Sequence, residues 1–350
     1  MTLLTTHNPI RPLDTATAKE LMTMFIDQDT DALLVGACLA LLAQRTPTAD
    51  ELAAFAEALA EVAVPFPDPG LAVLDVVGTG GDTRRDPEGG AKATANLSTL
   101  AALLLAAMGV PVLKHGNRAA TGVCGSADLL EALGCDLTRD PQKLKEDLRR
   151  GRLAFLFAPA YHPLLGRLRE IRRRLGIPTI FNLLGPLLNP GRPAHMLLGV
   201  AREDLLLPMA GALAKRGVAR AFVVHGKDAE GQGMDEASTE GPTRVVEVSG
   251  TRVTELGVLV PRELGLAQPP KDALRVGDRT EALALARGFH GGAAHPGFSA
   301  ALADAVALQA GLGLLLHRRL GLDALPATLA EARQRLDIGF PLPLPATEVP

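Results

Sequence analysis

The chain has 350 residues, of which 47% are hydrophobic and 21% are charged, enough for a large core and a smaller second domain. Its net charge of -3 gives no reason to expect nucleic acid as a partner. A long apolar stretch at 97–113 is interrupted by Ser98, Thr99, Gly109 and Pro111, so we expect no membrane span.

The first residues and the cysteines predict a cytoplasmic protein. Residues 1–8 carry neither a basic region nor an apolar core, so we expect no secretion signal. Cys38, Cys124 and Cys135 have spacings that suit neither a disulfide framework nor a zinc site. We therefore expect three reduced thiols.

Residues 14–63 carry a helical pattern, with apolar positions at spacings of three and four and a Ser, Thr or Asp near each start. A bundle of this size is too small for its own active site. We predict that residues 1–70 form a packing or dimerisation domain, joined by helices from about residues 160–185. The predicted helices are Thr15–Asp27, Thr30–Ala43 and Thr48–Val62.

The next segment has the pattern of a strand followed by a glycine loop. Residues 71–77 are apolar over a strand's length, and the GTGGD segment at 78–82 lets the backbone turn sharply and approach a ligand. After a polar loop, Asn96 and Ser98 open an apolar helix that ends before Gly109. Free backbone amides and polar side chains at a helix start predict an anion site.

A second polar loop follows the next predicted strand, residues 110–113. It carries the KHGNR segment at 114–118 and then Gly125 and Ser126, before a predicted helix at 129–133. Ligands of open parallel sheets bind beyond the carboxyl ends of the strands, so both loops are predicted to face one phosphate site. Each piece alone has a simpler interpretation, namely a tight turn, a solvated basic rim or a helix cap worth about 1 kcal/mol.

The predicted helix Leu164–Leu175 carries one inward-facing arginine. Leu168 and Ile171 lie on its apolar stripe, and at about 100° per residue Arg172 falls beside that stripe. A buried arginine needs an anionic partner. The residues alone leave open whether this is a structural carboxylate or a carboxylate-bearing substrate.

Strands and helices alternate over residues 71–338, which predicts an α/β fold with a mostly parallel central sheet flanked by helices. The tail at 339–350 is rich in proline and is expected to be irregular. The other predicted elements of this part are helix Pro141–Arg150, strand Leu153–Phe157, strand His195–Val200, helix Glu203–Arg216, strand Arg220–His225, a hairpin of Arg244–Ser249 and Thr251–Leu256, and helices Arg279–Phe289, Phe298–Leu312 and Thr328–Leu336.

Several motifs in a fixed order resemble one family. They are GTGGD, TANLST at 94–99, KHGNR, GSAD at 125–128, FLFA with YHP at 155–163, FNLLGPLLNP at 181–190, and VVHG followed by Asp235 and Glu236. Together they resemble the anthranilate phosphoribosyltransferases, which join anthranilate to phosphoribosyl pyrophosphate (PRPP) in tryptophan biosynthesis. These enzymes belong to glycosyltransferase family 3, in the nucleoside phosphorylase-like superfamily. The resemblance runs from about Leu13 to about Arg335.

The resemblance implies two small-molecule substrates. Anthranilate would be held by Gly78, Asn117 and Arg172, with Arg172 on its carboxylate. PRPP would be held mainly through backbone amides, hydroxyls and the ammonium of Lys114. The implied PRPP contacts are Gly78, Gly81, Asp82, Thr94, Asn96, Leu97, Ser98, Thr99, Lys114, His115, Gly116, Asn117, Arg118, Ala119, Ala120, Thr121, Gly122 and Ser126.

The resemblance also implies Mg²⁺ as cofactor, as two ions bound by Ser98, Asp235 and Glu236. By themselves, adjacent acids in a loop are usually just solvated, although Mg²⁺ does take one or two carboxylates plus substrate oxygens. No residue is expected to act as an acid or base, and His115 is expected to shape its loop. The helical domain would form a homodimer.

Two segments are longer than is usual in the family, Thr83–Ala93 and Lys227–Met234, and both border the predicted site. Two other functions stay open. One is a related phosphoribosyltransferase or nucleoside phosphorylase with another acceptor, against which KHGNR and Arg172 argue. The other is a non-catalytic relative that binds nucleic acid, for which a strongly basic surface would be expected.

Overall fold

A computed structural model describes residues 9–81, 84–85, 91–119, 123–138 and 140–342. The first three helices begin at capping side chains: Asp14, Asp31 and Thr48 each accept a backbone N–H of the first turn, and Glu51 completes a capping box with Thr48. The helices are α1 (Thr15–Ile26), α2 (Ala32–Leu42), α3 (Ala49–Glu61), α4 (Leu97–Ala107), α5 (Ser126–Ala132), α6 (Pro141–Arg149), α7 (Ala158–Tyr161), α8 (Gly166–Leu175), α9 (Ile180–Leu184), α10 (Leu206–Lys215), α11 (Arg279–His290), α12 (Ala300–Arg318) and α13 (Leu325–Ile338).

Six of the described strands form a mixed sheet with a parallel centre, and three others form a small antiparallel sheet of their own. The strands are β1 (Leu74–Gly78), β2 (Arg84–Arg85), β3 (Ala91–Thr94), β4 (Leu113–Gly116), β5 (Ala154–Phe157), β6 (His195–Gly199), β7 (Arg220–Lys227), β8 (Gly233–Met234), β9 (Thr243–Ser249), β10 (Arg252–Leu259) and β11 (Arg275–Val276). Strands β1, β6 and β7 pair in parallel, and β9 and β10 continue the sheet antiparallel. The parallel pair β4 and β5 joins β1 through a bridge between Leu74 and Val112.

Alternate residues of the central strands face two hydrophobic clusters. Leu197 and Phe222 point into the cluster built around α4, α12 and α13, while Leu198 and Val223 point into the cluster with α1–α3 and α10. The central strands are therefore buried on both faces, and their carboxyl ends meet along one edge. The α/β fold with a mostly parallel sheet flanked by helices is as predicted.

The amino-terminal helices share their core with the sheet. Phe25 and Phe55 belong to the same buried cluster as Leu168 of α8, Phe181 of α9 and Met196 of β6. The division into a helical domain at 1–70 and a catalytic domain at 71–338 stays a prediction.

Four predicted boundaries were wrong near the glycine loops. Strand β1 starts at Leu74, because Leu71 is solvent-exposed. Strand β4 extends to Gly116, so Lys114 and His115 lie in the strand, where they pair with β5. The loop predicted before Thr94 contains strand β3, which pairs with β11. Helix α5 begins at Ser126.

Helix α12 is longer than the predicted Phe298–Leu312. It continues to Arg318 because its leucines up to Leu316 stay buried in the core, and it ends where Arg319 turns left-handed at φ 57°. By length and composition this helix could cross a membrane, but 78% of its apolar window is buried inside the protein, as in the core helix of a globular domain.

Candidate functional site

A cleft of about 440 Å³ opens at the carboxyl ends of β1 and β4. It is closed on the other side by α8 and α9. The sequence-predicted residues that line it are Gly78, Asn96, Ser98, Thr99, Lys114, His115, Gly116, Asn117, Arg118, Ser126, Arg172 and Asp235. The two loops and the arginine of α8 thus face the same space.

The glycine loop lies directly against the acidic loop. A Cβ on Gly78 would lie 2.0 Å from Asp235 Oδ2, and one on Gly199 would lie 1.6 Å from the Asp235 carbonyl oxygen. The Gly80 N–H donates to Asp235 Oδ2 at 2.7 Å, and Gly80 adopts a positive φ of 70°, a conformation that favours glycine. Close backbone approach is therefore the reason for glycine in β1 and β6.

The start of α4 is tied to the second loop. Asn96 donates from Nδ2 to the Cys124 carbonyl at 2.8 Å and makes no capping bond to its own helix. Leu97 is fully buried, so only its backbone could meet a ligand. Asn96 thus links the helix start to the loop that precedes α5.

Lys114 is the buried cation of the cleft. Only 2% of its surface is exposed, and Nζ donates to the Val76 carbonyl at 2.5 Å and to Ser98 Oγ at 3.4 Å. Burial lowers the pKa of its ammonium, and the negative charges of Asp75 and Glu236 oppose that shift. Lys114 therefore sits where carboxylates from β1 and the acidic loop both act on it.

Asp75 and Asn189 lie behind Lys114. Asn189 Nδ2 donates to Asp75 Oδ2 and to the Leu113 carbonyl, both at 2.9 Å, and the Gly191 N–H donates to Asn189 Oδ1. Burial raises the pKa of Asp75 to about 6, although Lys114 and the Asn189 bond act in the opposite direction. The site is thus built on a buried acid–lysine–amide group.

His115 contacts the ring of His162 edge-on, with ring centroids 5.4 Å apart. Burial, together with His162, lowers the pKa of His115 to about 3. His162 is itself buried and its Nε2 lies 2.9 Å from the Leu188 carbonyl. His115 is therefore a neutral wall of the cleft near pH 7, and its shaping role stays a prediction.

Arg172 is the half-buried cation at the opposite end. Its Nη2 donates to Asn182 Oδ1 at 3.3 Å, and its guanidinium lies 5.7 Å from the centroid of the Phe181 ring. Asn182 is held in turn by the Thr179 N–H at 3.0 Å. Within the part of the chain that the structure describes, Arg172 has no carboxylate at ion-pair distance. Burial lowers its pKa.

Arg118 is engaged by the protein itself. It forms a two-pronged ion pair with Glu131 at 2.7 and 2.8 Å, contacts Asp128 at 3.3 Å, and lies over the Phe157 ring. The Ala119 N–H also donates to Asp128, at 3.0 Å. The guanidinium of Arg118 is thus less available to a ligand than that of Arg172.

Some predicted residues lie beside the cleft or outside the described chain. Thr94 accepts a hydrogen bond from Arg275 at 2.9 Å and is not part of the cleft wall. Neither are Gly81, Leu97, Ala119 and Glu236. The predictions for Asp82, Ala120, Thr121 and Gly122 fall outside the described residues.

The oxygen donors fit a hard divalent cation. On the cleft wall Asp235 offers a carboxylate and Ser98 a hydroxyl, the ligand type that Mg²⁺ prefers, while the Glu236 carboxylate lies beside the wall and acts on Lys114. Among the described residues, no three His, Cys, Asp or Glu side chains cluster as a complete metal site. A Mg²⁺ ion here would therefore take further oxygens from water or a substrate, and the residues present fit that mode of binding.

Sequence reasoning missed the residues that support the site. Asp75 lies in the predicted strand at 71–77 and Asn189 in the FNLLGPLLNP segment at 181–190. The sequence does not show that Asp75 is buried or that Asn189 is its partner. Arg275 could have been noticed as a lone charge between Leu274 and Val276 in a short apolar run.

Comparison with known proteins shows the family. The description "Glycosyl transferase family, a/b domain" matches residues 71–340. Anthranilate phosphoribosyltransferase of Synechococcus sp. (strain CC9902) is 46% identical over 268 residues, 76% of this chain and 73% of the relative. The crystal structure of the Thermus thermophilus enzyme superposes with a TM-score of 0.82 at 40% identity, over 97% of this chain and 95% of that one.

A more distant structure is that of the Saccharomyces cerevisiae enzyme in complex with PRPP and Mg. It has a TM-score of 0.74 at 25% identity and covers 92% of this chain and 87% of its own. The similarity therefore extends over both the helical and the α/β parts. With these relatives and this cleft, the chain belongs to the anthranilate phosphoribosyltransferase family of glycosyltransferases.

Proposed function

We propose that this protein transfers the 5-phosphoribosyl group of PRPP to the amine of anthranilate in the cleft, releasing pyrophosphate. The observation that carries the proposal is the pairing of two unlike ends in one space. A glycine loop, a helix start and Lys114 lie at one end, and Arg172 lies at the other. The first end suits a pyrophosphate and the second a small carboxylate.

The reaction makes limited demands on the protein. Departure of pyrophosphate leaves positive charge on the anomeric carbon of the sugar, and the neutral amine of anthranilate attacks that carbon. The protein must therefore hold the departing anion and align the amine. A strong base is not required, which agrees with a His115 that is neutral and buried.

The pyrophosphate end would use backbone amides of the glycine loop, the polar side chains that open α4, and the charge of Lys114. The other contacts assigned from the family, including Thr94, Arg118 and residues 119–122, belong to the same proposal. Mg²⁺, when bound, neutralises pyrophosphate and makes it a better leaving group. Ser98, Asp235 and Glu236 would hold it, as two ions.

The acceptor end would use Arg172 on the anthranilate carboxylate, with Gly78 and Asn117 beside the ring. Arg172 is oriented by Asn182 and Phe181 before any ligand arrives. A fixed guanidinium that has no ion-pair partner in the described chain gains most from a ligand carboxylate.

We also propose a cytoplasmic homodimer. Three free cysteines suit a reducing compartment. Helices α2 and α8 leave an apolar groove of about 620 Å³ whose edge carries Leu33, which is 79% exposed. A second copy of the chain would cover it, and Leu33→Asp should then convert a dimer to a monomer in light scattering. A monomeric wild type would contradict this part.

The test of the reaction is the loss of anthranilate fluorescence with PRPP and Mg²⁺. Wild type should consume anthranilate only when both are present. Arg172→Ala should slow this strongly, while Arg173→Ala, a change in the adjacent exposed arginine that pairs with Glu170, should not. A folded wild type that binds PRPP without turnover would overturn anthranilate as acceptor. Phosphate-dependent release of a free base would indicate a nucleoside phosphorylase instead.

A further inference from the structure

A turn at residues 228–232 precedes the acidic pair, within the segment Lys227–Met234. Asp228 lies at the base of this turn. Its Oδ1 accepts the N–H of Glu230 at 3.0 Å and of Gln232 at 2.8 Å, and its own N–H donates to the Gln232 carbonyl at 2.9 Å. One carboxylate oxygen therefore closes the turn between β7 and β8, and Asp235 follows β8 directly.

The other oxygen of Asp228 faces Arg275. Arg275 Nη2 lies 3.6 Å from Asp228 Oδ2, and the two side chains are only 3% and 1% exposed. Arg275 Nη1 donates to Thr94 Oγ1 at 2.9 Å. One guanidinium thus bridges the turn before the acidic pair and the strand that leads to α4.

The backbone joins the same elements. Strand β11 pairs Arg275 with Thr94 of β3, and the Ala95 N–H donates to the Leu274 carbonyl at 2.8 Å. Beyond Ala95 the chain enters α4, whose start carries Ser98. Arg275 is therefore placed between the two segments that supply the proposed metal ligands, Ser98 on one side and Asp235 with Glu236 on the other.

A buried ion pair is weak evidence of stabilisation, because removing two charges from water costs several kcal/mol. Its better-attested use is to fix how two segments lie relative to each other. Arg275 suits that use, since its planar fork reaches two partners in fixed directions and a lysine ammonium would not.

We propose that the buried Arg275–Asp228 pair is a positioning device that sets the acidic pair at the correct separation from the start of α4. It holds the pyrophosphate–Mg²⁺ end of the cleft and does not act on the acceptor end. The inference rests on the proposed function, because the positioned residues are those assigned to PRPP and Mg²⁺.

The test compares Arg275→Met, Arg275→Lys and Asp228→Asn with wild type. The control is Arg318→Met, which removes an arginine from a two-pronged pair with Glu331 that is 38% and 44% exposed and lies on α12 and α13. Affinity for PRPP in the presence of Mg²⁺ is measured by calorimetry. Steady-state kinetics give KM for PRPP, KM for anthranilate and the half-saturating Mg²⁺ concentration, and thermal unfolding reports folding.

We expect Arg275→Met to weaken PRPP binding about 10-fold or more and to raise the Mg²⁺ requirement, with KM for anthranilate changed less than about 2-fold. Asp228→Asn should act in the same direction and add little to Arg275→Met in the double variant. Arg275→Lys should give values between those of wild type and Arg275→Met. Arg318→Met should leave the PRPP affinity, the Mg²⁺ requirement and the KM for anthranilate unchanged.

Folded variants that lose only thermal stability, with unchanged PRPP affinity and Mg²⁺ requirement, would overturn the inference. Equal rises in both KM values would do so as well. If Arg275→Met does not fold, Arg275→Lys and Asp228→Asn decide by the same constants. A wild type that binds no PRPP would instead overturn the proposed function, so the two failures are distinguishable.

Discussion

The cleft contains two cations in opposite environments. Lys114 is buried at a strand end and donates to Val76 and Ser98. The negative charges of Asp75 and Glu236 raise the pKa of its ammonium against the effect of burial. Arg172 is half-buried on a helix and has an amide and an aromatic ring as its partners. The protein thus places carboxylates near Lys114, whereas Arg172 has no carboxylate at ion-pair distance in the described part of the chain.

This difference separates two roles. Carboxylates around a buried lysine oppose the loss of its charge, and in the proposed function this ammonium would meet a pyrophosphate partly neutralised by Mg²⁺. An arginine held only in orientation adds affinity and selectivity for one carboxylate. Breaking either end should therefore change a different kinetic constant.

The largest effect is expected for Lys114→Met. Loss of the buried ammonium removes a fixed positive charge from the pyrophosphate end and leaves Asp75 and Glu236 without it. We expect kcat/KM for PRPP to fall about 10²–10³-fold, the usual loss for one fixed donor to a developing anion. The measurement is steady-state kinetics with PRPP varied. Lys271→Met, in an exposed lysine, is the control, and a fall under about 3-fold for Lys114→Met would contradict the assignment.

The pH dependence of stability that arises from His115 reports whether water is excluded from the end of the cleft that contains Lys114. Its pKa is about 3 in the folded protein and about 6.5 in an unfolded chain, so the unfolded chain takes up a proton first as the pH falls. The neutral imidazole of His115 therefore favours the folded state fully above about pH 6.5, and this contribution to the free energy of unfolding is lost as the pH falls. Between about pH 7 and about pH 4.5, the free energy of unfolding falls by about 2–3 kcal/mol from this group.

The measurement is the free energy of unfolding in urea at both pH values. His115→Gln should lose less stability on acidification than wild type, by about that amount. His295→Gln, in an exposed histidine, should behave as wild type. If wild type and His115→Gln lost the same free energy of unfolding on acidification, His115 would be accessible to solvent in the folded protein.

Arg172→Ala examines the opposite end. Loss of a charged hydrogen-bonding partner for the acceptor carboxylate should raise KM for anthranilate about 10–100-fold, from about 1.5–3 kcal/mol. KM for PRPP should stay within about 2-fold. Arg172→Lys should recover little, because the two-pronged geometry is lost. An equal rise in KM for PRPP would mean that the two ends are not separate.

The smallest effect is expected for Gly78→Ala, where the two loops meet. A new methyl group would lie 2.0 Å from Asp235 Oδ2 and 2.9 Å from the Asp235 carbonyl oxygen, so the acidic loop must shift, and we expect a cost of at least about 1 kcal/mol, the lower end for overpacking. The half-saturating Mg²⁺ concentration should rise about 5-fold, which is that free energy expressed as an equilibrium ratio. Gly166→Ala, whose Cβ would meet nothing within 4 Å, should leave it unchanged.

The sequence specified the local elements well where the pattern is strong. Capping residues such as Asp14 and Thr48 marked the starts of α1 and α3 to within one residue, because caps and apolar spacing act locally. The two loops at the strand ends were predicted for the same reason, since glycines at sharp turns are a local signal. Strand ends were less accurate, because pairing with β5 decided that Lys114 lies inside β4.

By itself, the sequence determined the alternation of strands and helices, the two polar loops and an arginine beside the apolar face of α8. Tertiary structure alone decided which charges are balanced. Asp75 and Asn189 are far apart in the chain yet meet behind Lys114, and Arg275 meets Asp228 in the turn before the acidic pair. The physical reason is that burial and partner distance set the free energy of a charge, and both depend on elements that come together only in the fold.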